Sequence, residues 1–172
     1  MTITCNSLRG IFVLAALLAS TLAGGSEPNA DLQAGISAFH NGDLVTAMEK
    51  YQLAADAGSP EAQARLAWIY DQSEENEVAV ELYRRSAEQS FADGEFGLGE
   101  MYAKGEGVEQ DEDEAFLWFE RAAHQGHLHA IRVLINAFER GTLGREIQPE
   151  TADKWRQKLD ELVSPPSQTD NQ

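Results

Sequence analysis

The sequence predicts an all-helical protein built as a stack of about four helix-turn-helix repeats. Three observations predict this fold. Apolar and small residues recur at three- and four-residue spacing, which places them on one face of an α-helix. An alanine followed four residues later by an aromatic residue returns after 32 and then 36 residues. A second series of mostly small residues returns at similar intervals, and such internal repetition is typical of solenoid proteins.

The first 23 residues predict a secretory signal peptide. They contain one basic residue, Arg9, no acidic residue, and an apolar run over 11–19 that is followed by small residues. This is the layout of a cleaved export signal, and we expect cleavage after Ala23. A membrane anchor is the alternative, but spanning a bilayer takes about 20 apolar residues and this run has about half as many. We therefore predict an exported protein, either periplasmic or secreted.

Removal of this segment has two consequences for the mature chain. The only cysteine, Cys5, is lost, so disulfides, thiolate nucleophiles and cysteine metal ligands are excluded. Arg9 is lost as well, which leaves 12 Lys and Arg against 29 Asp and Glu, a formal net charge of −17. Such a surface repels phosphate groups, so we expect no nucleic acid partner and no stable membrane insertion. The alternative is that the acidity only keeps an exported protein soluble.

The two series of residues place the repeats along the chain. The first series pairs Ala47 with Tyr51, Ala79 with Tyr83 and Ala115 with Phe119, and the second series is Gly35, Ala67, Gly99 and Ile135. Because small residues let two helices approach closely, we expect an aromatic ring of the neighbouring helix to fill the space. The predicted organisation is a leader at 24–30, a repeat domain at 31–163 with units at about 31–58, 59–90, 91–126 and 127–163, and a disordered tail at 164–172.

Start and stop signals support these boundaries. Asp43, Ser59 and Asp111 are residues that cap the beginning of a helix with a side-chain oxygen. Pro60 is suited to the first turn of a helix. Gly58 is suited to a helix end, where glycine adopts the left-handed conformation without strain.

The third unit resembles a known repeat family. It contains Leu98-Gly99, Tyr102, Gly105-Glu106-Gly107-Val108, Asp111, Ala115, Trp118-Phe119 and Ala122-Ala123-His124-Gln125-Gly126. This pattern is similar to the Sel-one-like repeat. The first two units lack the Gly-x-Gly-Val extension and are closer to the related tetratricopeptide repeat, and the fourth is degenerate, as expected of a capping repeat. The resemblance implies a right-handed α-solenoid and a role as an adaptor that assembles complexes.

The resemblance also implies where a binding site lies. In such solenoids the first helix of each pair lines the concave face, and counting along these helices predicts a protein-binding surface of Phe39, Trp68, Asp71, Phe96, Glu100, Arg132 and Asn136. Aromatic residues flanked by acids suit an apolar segment with basic side chains, and aromatic anchors often carry interface energy. The alternative is that these aromatic residues pack between repeats and do not reach solvent.

Two polar clusters suggest metal sites. His124, His127 and His129 are residues that hold zinc or copper, but they span a helix end, a turn and a helix start, and no carboxylate completes a standard spacing. The acids within 109–114 suggest a calcium loop, but they lack its spacing and instead open a helix, where acids favour the positive end of the helix dipole. We predict no metal and no cofactor.

The favoured function is an exported, non-enzymatic adaptor that binds a protein or peptide in its concave face. Neither a Gly-x-Ser-x-Gly nor a Ser-x-x-Lys nucleophile motif occurs. A hydrolase of β-lactams or of cell-wall-type substrates is the alternative implied by cysteine-rich relatives of the family, although their disulfides are missing here. Metal binding through the histidine cluster is the second alternative.

Overall fold

The computed structural model describes residues 28–164, which form eight α-helices and no strand. In chain order these are α1 (Pro28–His40), α2 (Leu44–Asp56), α3 (Pro60–Gln72), α4 (Asn76–Glu88), α5 (Ala92–Lys104), α6 (Glu112–His124), α7 (Leu128–Arg140) and α8 (Pro149–Val163). The all-helical class predicted from the sequence is confirmed. The predicted signal peptide lies outside the described residues, as does the predicted tail apart from Ser164. None of the described helices is long and apolar enough to cross a bilayer.

The helices pack in the order in which the chain makes them. Each helix contacts the next one along the chain, and α3 and α5, the first helices of the second and third pairs, also pack against each other. The result is four antiparallel pairs, α1–α2, α3–α4, α5–α6 and α7–α8, each covered by its neighbour. Two hydrophobic clusters fill the interior, one centred on the first two pairs and one on the last two. This is the arrangement of a solenoid, in which a single pair cannot bury its own apolar side.

Side-chain caps fix three of the helix starts where the sequence predicts them. The Asp43 carboxylate accepts a hydrogen bond from the Thr46 N–H at 3.1 Å. Ser59 Oγ accepts from the Ala62 N–H at 3.3 Å, just before Pro60 begins α3. Asp111 Oδ1 accepts from two N–H groups of the first turn of α6. Each cap satisfies donors that a helix leaves without an internal partner.

The predicted small positions are sites of close helix contact. A Cβ built on Gly35 would lie 2.6 Å from the ring of Tyr51, and one on Gly99 would lie 2.9 Å from the ring of Phe119. In both pairs the aromatic ring of the second helix therefore occupies the space that a side chain on the first helix would need. Ala67, at the same place in the second pair, is fully buried. The expectation that small residues admit a neighbouring ring is confirmed.

Polar contacts close the second and third pairs at equivalent places. The fourth residues of α3 and α5, Gln63 and Glu95, are both buried. Gln63 Oε1 accepts from Gln89 Nε2 at 2.8 Å, and Glu95 Oε2 accepts from Gln125 Nε2 at 2.6 Å. Gln89 and Gln125 each follow the last residue of a second helix. The same hydrogen bond therefore closes the second and the third helix pair.

Basic side chains hold the carboxyl ends of the second helices. Arg85 Nη2, on α4, donates to the Ala55 carbonyl oxygen of α2 at 3.1 Å. Lys158 Nζ, on α8, donates to the carbonyl oxygens of Ala123 and His124 of α6, at 2.9 and 3.0 Å. These carbonyl groups lie at the negative end of the helix dipole, so a cation is favoured there. Each contact ties one pair to the pair before it.

Candidate functional site

A cavity of about 410 Å³ opens on the face formed by the first helices of the pairs. We call it the groove. Its lining is aromatic and charged, and consists of Phe39, Tyr51, Ala64, Arg65, Trp68, Tyr83, Asp93, Phe96, Gly97, Glu100, His127 and His129. Four of the eight described helices, α1, α3, α5 and α7, supply most of these side chains, and Tyr51 and Tyr83 reach it from the second helices. Its size and its mixture of apolar walls with a few polar groups are those of a ligand site.

The groove runs diagonally across the first helices. Phe39 is the twelfth residue of α1, Trp68 the ninth of α3, Phe96 the fifth of α5 and His129 the second of α7. The lining as a whole shifts toward the amino end along the stack, from the end of α1, through residues 64–68 of α3 and 93–100 of α5, to the start of α7. Such a shift is expected when stacked helices cross at an angle rather than lying parallel.

Two aromatic groups form the walls. Trp68 meets Phe39 edge-on with 5.8 Å between the ring centroids, and the Trp68 side chain remains 47% exposed. At the other end the ring of Phe96 stacks on His127 at 4.5 Å and lies 6.1 Å from His129. Phe39 and Phe96 are half-buried. These aromatic residues thus reach the groove instead of packing wholly between repeats.

Tyr83 forms the floor of the groove. It is buried, and it lies directly against Gly97, where any side chain would overlap the tyrosine ring. Burial raises the pKa of the Tyr83 hydroxyl, and the negative charges of Asp71, Glu100 and Asp93 raise it further. Three carboxylates therefore surround the floor of the groove.

The Glu100 carboxylate has no direct polar partner. Within residues 28–164 neither the Glu100 nor the Asp71 side chain makes a hydrogen bond or an ion pair. Burial raises the pKa of Glu100, against the opposing influence of the Lys104 charge. A half-buried carboxylate without a partner costs free energy, because it gives up water without gaining an equivalent contact.

Asp93 differs, because it has a partner in His127. The imidazole Nε2 lies 3.4 Å from Asp93 Oδ1, and a hydrogen bond from His127 lowers the pKa of Asp93. On its other side His127 Nδ1 accepts the Ala130 N–H at 3.2 Å and so caps α7. Both nitrogens are thus engaged in holding the start of α7 beside the groove.

The cations near the groove are paired elsewhere. Arg65 donates two hydrogen bonds to Glu61 Oε1, at 2.9 and 2.8 Å, along its own helix. Lys104 Nζ lies 3.2 Å from Glu106 Oε2 in the loop that follows α5. Each of these cations has a carboxylate of its own, and neither makes a hydrogen bond or an ion pair with Glu100.

Most of the sequence-predicted site residues come together. Phe39, Trp68, Phe96 and Glu100 line the groove, and Asp71 lies close enough to act on Tyr83 and Glu100. Arg132 and Asn136 do not line it, and both are exposed on α7. The sequence-based count assumed the same helical position in every repeat, whereas the diagonal course brings the start of α7 to the groove.

Several lining residues were not predicted from the sequence as binding residues. Tyr51 and Tyr83 were identified as the aromatic partners of small residues, and their second role at the floor has no separate signal. His127 and His129 were considered only as metal ligands. Their position at the start of α7, opposite Phe96, depends on how the pairs cross, which residue spacing within one helix does not show.

The three clustered histidines do not converge. His124 packs against Trp155 with 5.2 Å between ring centroids, whereas His127 and His129 lie 5.9 Å apart beside Phe96. Across the described part of the chain no group of three or more His, Cys, Asp or Glu side chains is arranged to hold a metal ion. The acidic run likewise opens a helix, with Asp111 as the cap of α6.

Comparison with known proteins identifies the repeats. Residues 60–91 and 92–127 each match the Sel1 repeat. An exopolysaccharide production negative regulator of Rhizobium leguminosarum bv. viciae is 33% identical over 84 residues, which are 43% of this chain. The match spans only 32% of the length of that regulator.

Solved structures show the same architecture. A Sel1 repeat protein from Oxalobacter formigenes superposes with a TM-score of 0.73 at 27% identity, covering 81% of this chain and 59% of that one. A protective antigen of uropathogenic Escherichia coli with an SLR fold gives a TM-score of 0.63 at 28% identity, covering 88% of this chain and 38% of that one. Sel1 repeat proteins generally mediate protein–protein interaction. The chain therefore carries Sel1 repeats within an all-helical solenoid of the Sel1-repeat fold, which confirms the resemblance seen in its third unit.

Proposed function

We propose that this chain is an exported, non-enzymatic adaptor that holds a segment of a partner protein in the groove. The observation that carries the proposal is the half-exposed indole of Trp68, fixed edge-on against Phe39 at the mouth of a preformed cavity. A large exposed aromatic ring on a rigid helix is the kind of anchor that dominates protein interfaces. The Sel1-repeat fold is typically a scaffold without catalytic activity, which supports the same role.

His127, one of the two histidines that line the groove, gives little support to catalysis. A general base needs a free nitrogen within reach of the substrate. Both nitrogens of His127 are occupied, one by the Ala130 N–H and the other by Asp93.

The export part of the proposal comes from the sequence of residues 1–23.

Capture of partners with a tagged chain tests the proposal. We expect Trp68→Ala to reduce recovery of specific proteins from the envelope fraction of the source cells about tenfold or more, the typical loss at an aromatic hot spot. Leu117→Ala is the matched control, because Leu117 is 46% exposed but lies on α6 outside the groove. Circular dichroism should show unchanged helix content in both variants.

Equal recovery of partner proteins with the wild type and with Trp68→Ala would show that the groove does not bind the partner.

The export component has its own test, which is amino-terminal sequencing of the chain recovered from the envelope or the medium. We expect the product to begin at Gly24. A product that retains residues 1–23 would overturn the predicted cleavage.

A further inference from the structure

The groove contains one carboxylate, Glu100, that makes no hydrogen bond or ion pair with another described residue. Asp71, Asp93 and Glu100 all act on the Tyr83 hydroxyl at the floor. The nearby Arg65 and Lys104 are each held by a carboxylate of their own. Asp93 is paired with His127. The local balance therefore favours a cationic group from outside.

The walls of the same cavity suit a flat cation. Trp68 offers an indole ring that is half exposed, and Phe96 offers a ring that already stacks on the planar imidazole of His127. Aromatic faces attract cations, and tryptophan does so most strongly. Acidic and aromatic groups thus line one cavity of about 410 Å³, which is large enough to admit a long side chain.

We propose that the groove binds an arginine side chain of the partner segment, with the guanidinium held between the ring of Trp68 and the carboxylate of Glu100. This inference rests on the proposed function and specifies what the groove recognises. Arginine fits better than lysine, because its planar guanidinium stacks on aromatic rings, donates two hydrogen bonds to one carboxylate and is more weakly hydrated. An acidic side chain would meet three carboxylates, and a neutral one would leave Glu100 without a partner in a dry site.

Peptide binding provides the test. The probes are short acetylated and amidated peptides of identical sequence with arginine, citrulline, lysine or norleucine at the central position. Citrulline has the shape of arginine but no charge, so the arginine–citrulline pair isolates the charge. Binding is followed by the NMR shifts of the Trp68 indole and of the Glu100 amide in the mature chain. We expect arginine to bind about tenfold or more tightly than citrulline, a typical effect of a charge pair shielded from water, and lysine to fall between them.

Substitutions in the chain complete the test. Glu100→Gln keeps the shape of the side chain and should cut the advantage of arginine over citrulline to about threefold or less, because the charge-assisted contact is lost. Glu49→Gln, at an exposed position of α2 outside the groove, removes the same charge and should leave the preference intact.

The possible failures are distinguishable. Equal binding of the four peptides at Trp68 would overturn the arginine inference and leave the groove as a peptide site. Failure of every peptide to bind at millimolar concentration would also overturn it, and the capture experiment with Trp68→Ala would then decide the adaptor role separately. A preference for arginine that survives Glu100→Gln would show that Glu100 does not recognise the guanidinium.

Discussion

Glu95 and Gln63 hold equivalent places in consecutive helix pairs, and each accepts a hydrogen bond from the glutamine that follows the second helix of its pair. The acceptor is the neutral side-chain amide of Gln63 in the second pair and the carboxylate of Glu95 in the third. Glu95 is 1% exposed, and its carboxylate also lies 3.2 Å from Arg121 Nε. The comparison separates what the hydrogen bond contributes from what the charge contributes.

We predict that Glu95→Gln is tolerated and that Glu95→Ala is not. Glutamine keeps the bond to Gln125, as Gln63 shows, and the half-exposed Arg121 can turn to water, so we expect a change within about 1 kcal/mol. Alanine removes the acceptor and leaves a void, which should cost about 2–3 kcal/mol. Urea unfolding followed by circular dichroism measures both. Equal losses of unfolding free energy in the two variants would mean that the ion pair between Glu95 and Arg121 is what stabilises the third helix pair.

Gly97→Ala should destabilise the chain by about 1–3 kcal/mol, because the new methyl group would overlap the ring of Tyr83. Thermal unfolding gives the loss. The double variant with Tyr83→Leu removes the ring and tests the cause. If overlap is responsible, the two changes together should cost less than their sum. Additive losses would place the effect of alanine elsewhere.

Lys158→Met should loosen the last helix pair. The ammonium group bonds two carbonyl oxygens at the end of α6, and its loss should cost about 1 kcal/mol. Amide hydrogen exchange should accelerate in α8 while α3 and α4 stay protected. Lys154→Met is the matched control, since Lys154 is exposed on the same helix and has no ion pair among the described residues. Uniform acceleration across all helices would contradict a local role.

Glu100→Gln should gain stability over the wild type as the pH rises. Burial raises the pKa of Glu100 above its ordinary value of 4.5, so the native state favours the protonated carboxyl. The contribution of Glu100 to stability is therefore full below that value and is lost as the pH rises through the folded-state pKa. Glutamine does not ionise. Urea unfolding at about pH 4 and pH 7 should show the difference growing at the higher pH. Glu49→Gln controls for the removal of one charge.

The same variant links stability to recognition. If Glu100 is kept ionised for a guanidinium, the substitution that stabilises the free chain should weaken binding of the arginine peptide. A gain in one property with a loss in the other is common at binding sites. A variant that loses both would indicate a structural role for the carboxylate.

The fold could be predicted from the sequence because its signals are local and repeated. The spacing of Ala47 and Tyr51, and of Ala115 and Phe119, marks helix faces, and caps such as Ser59 mark helix starts. The first helix begins at Pro28, three residues before the repeat domain was expected to start.

The site was predicted less completely, for a geometric reason. Counting within one helix correctly brings Trp68 and Glu100 to the same face. It does not give the angle between pairs, and that angle decides which turn of α7 meets Phe96. Arg132 was therefore favoured over His129, although both lie on the first helix of the last pair. The side-chain hydrogen bonds of Gln63 and Glu95 were not predicted either, because the sequence of one helix does not indicate a partner 26 or 30 residues further along the chain.

The diagonal course of the groove makes the site a shared property of the stack. No single hairpin forms the groove, because its aromatic rings come from helices of different hairpins that come together only when the stack has assembled. A ligand that contacts several hairpins at once would stabilise the stack, because its binding would raise the free energy needed to separate neighbouring hairpins. Conversely, a substitution between two hairpins that alters the angle between them should change the affinity of the groove for its ligand, even if the substituted residue does not contact the ligand.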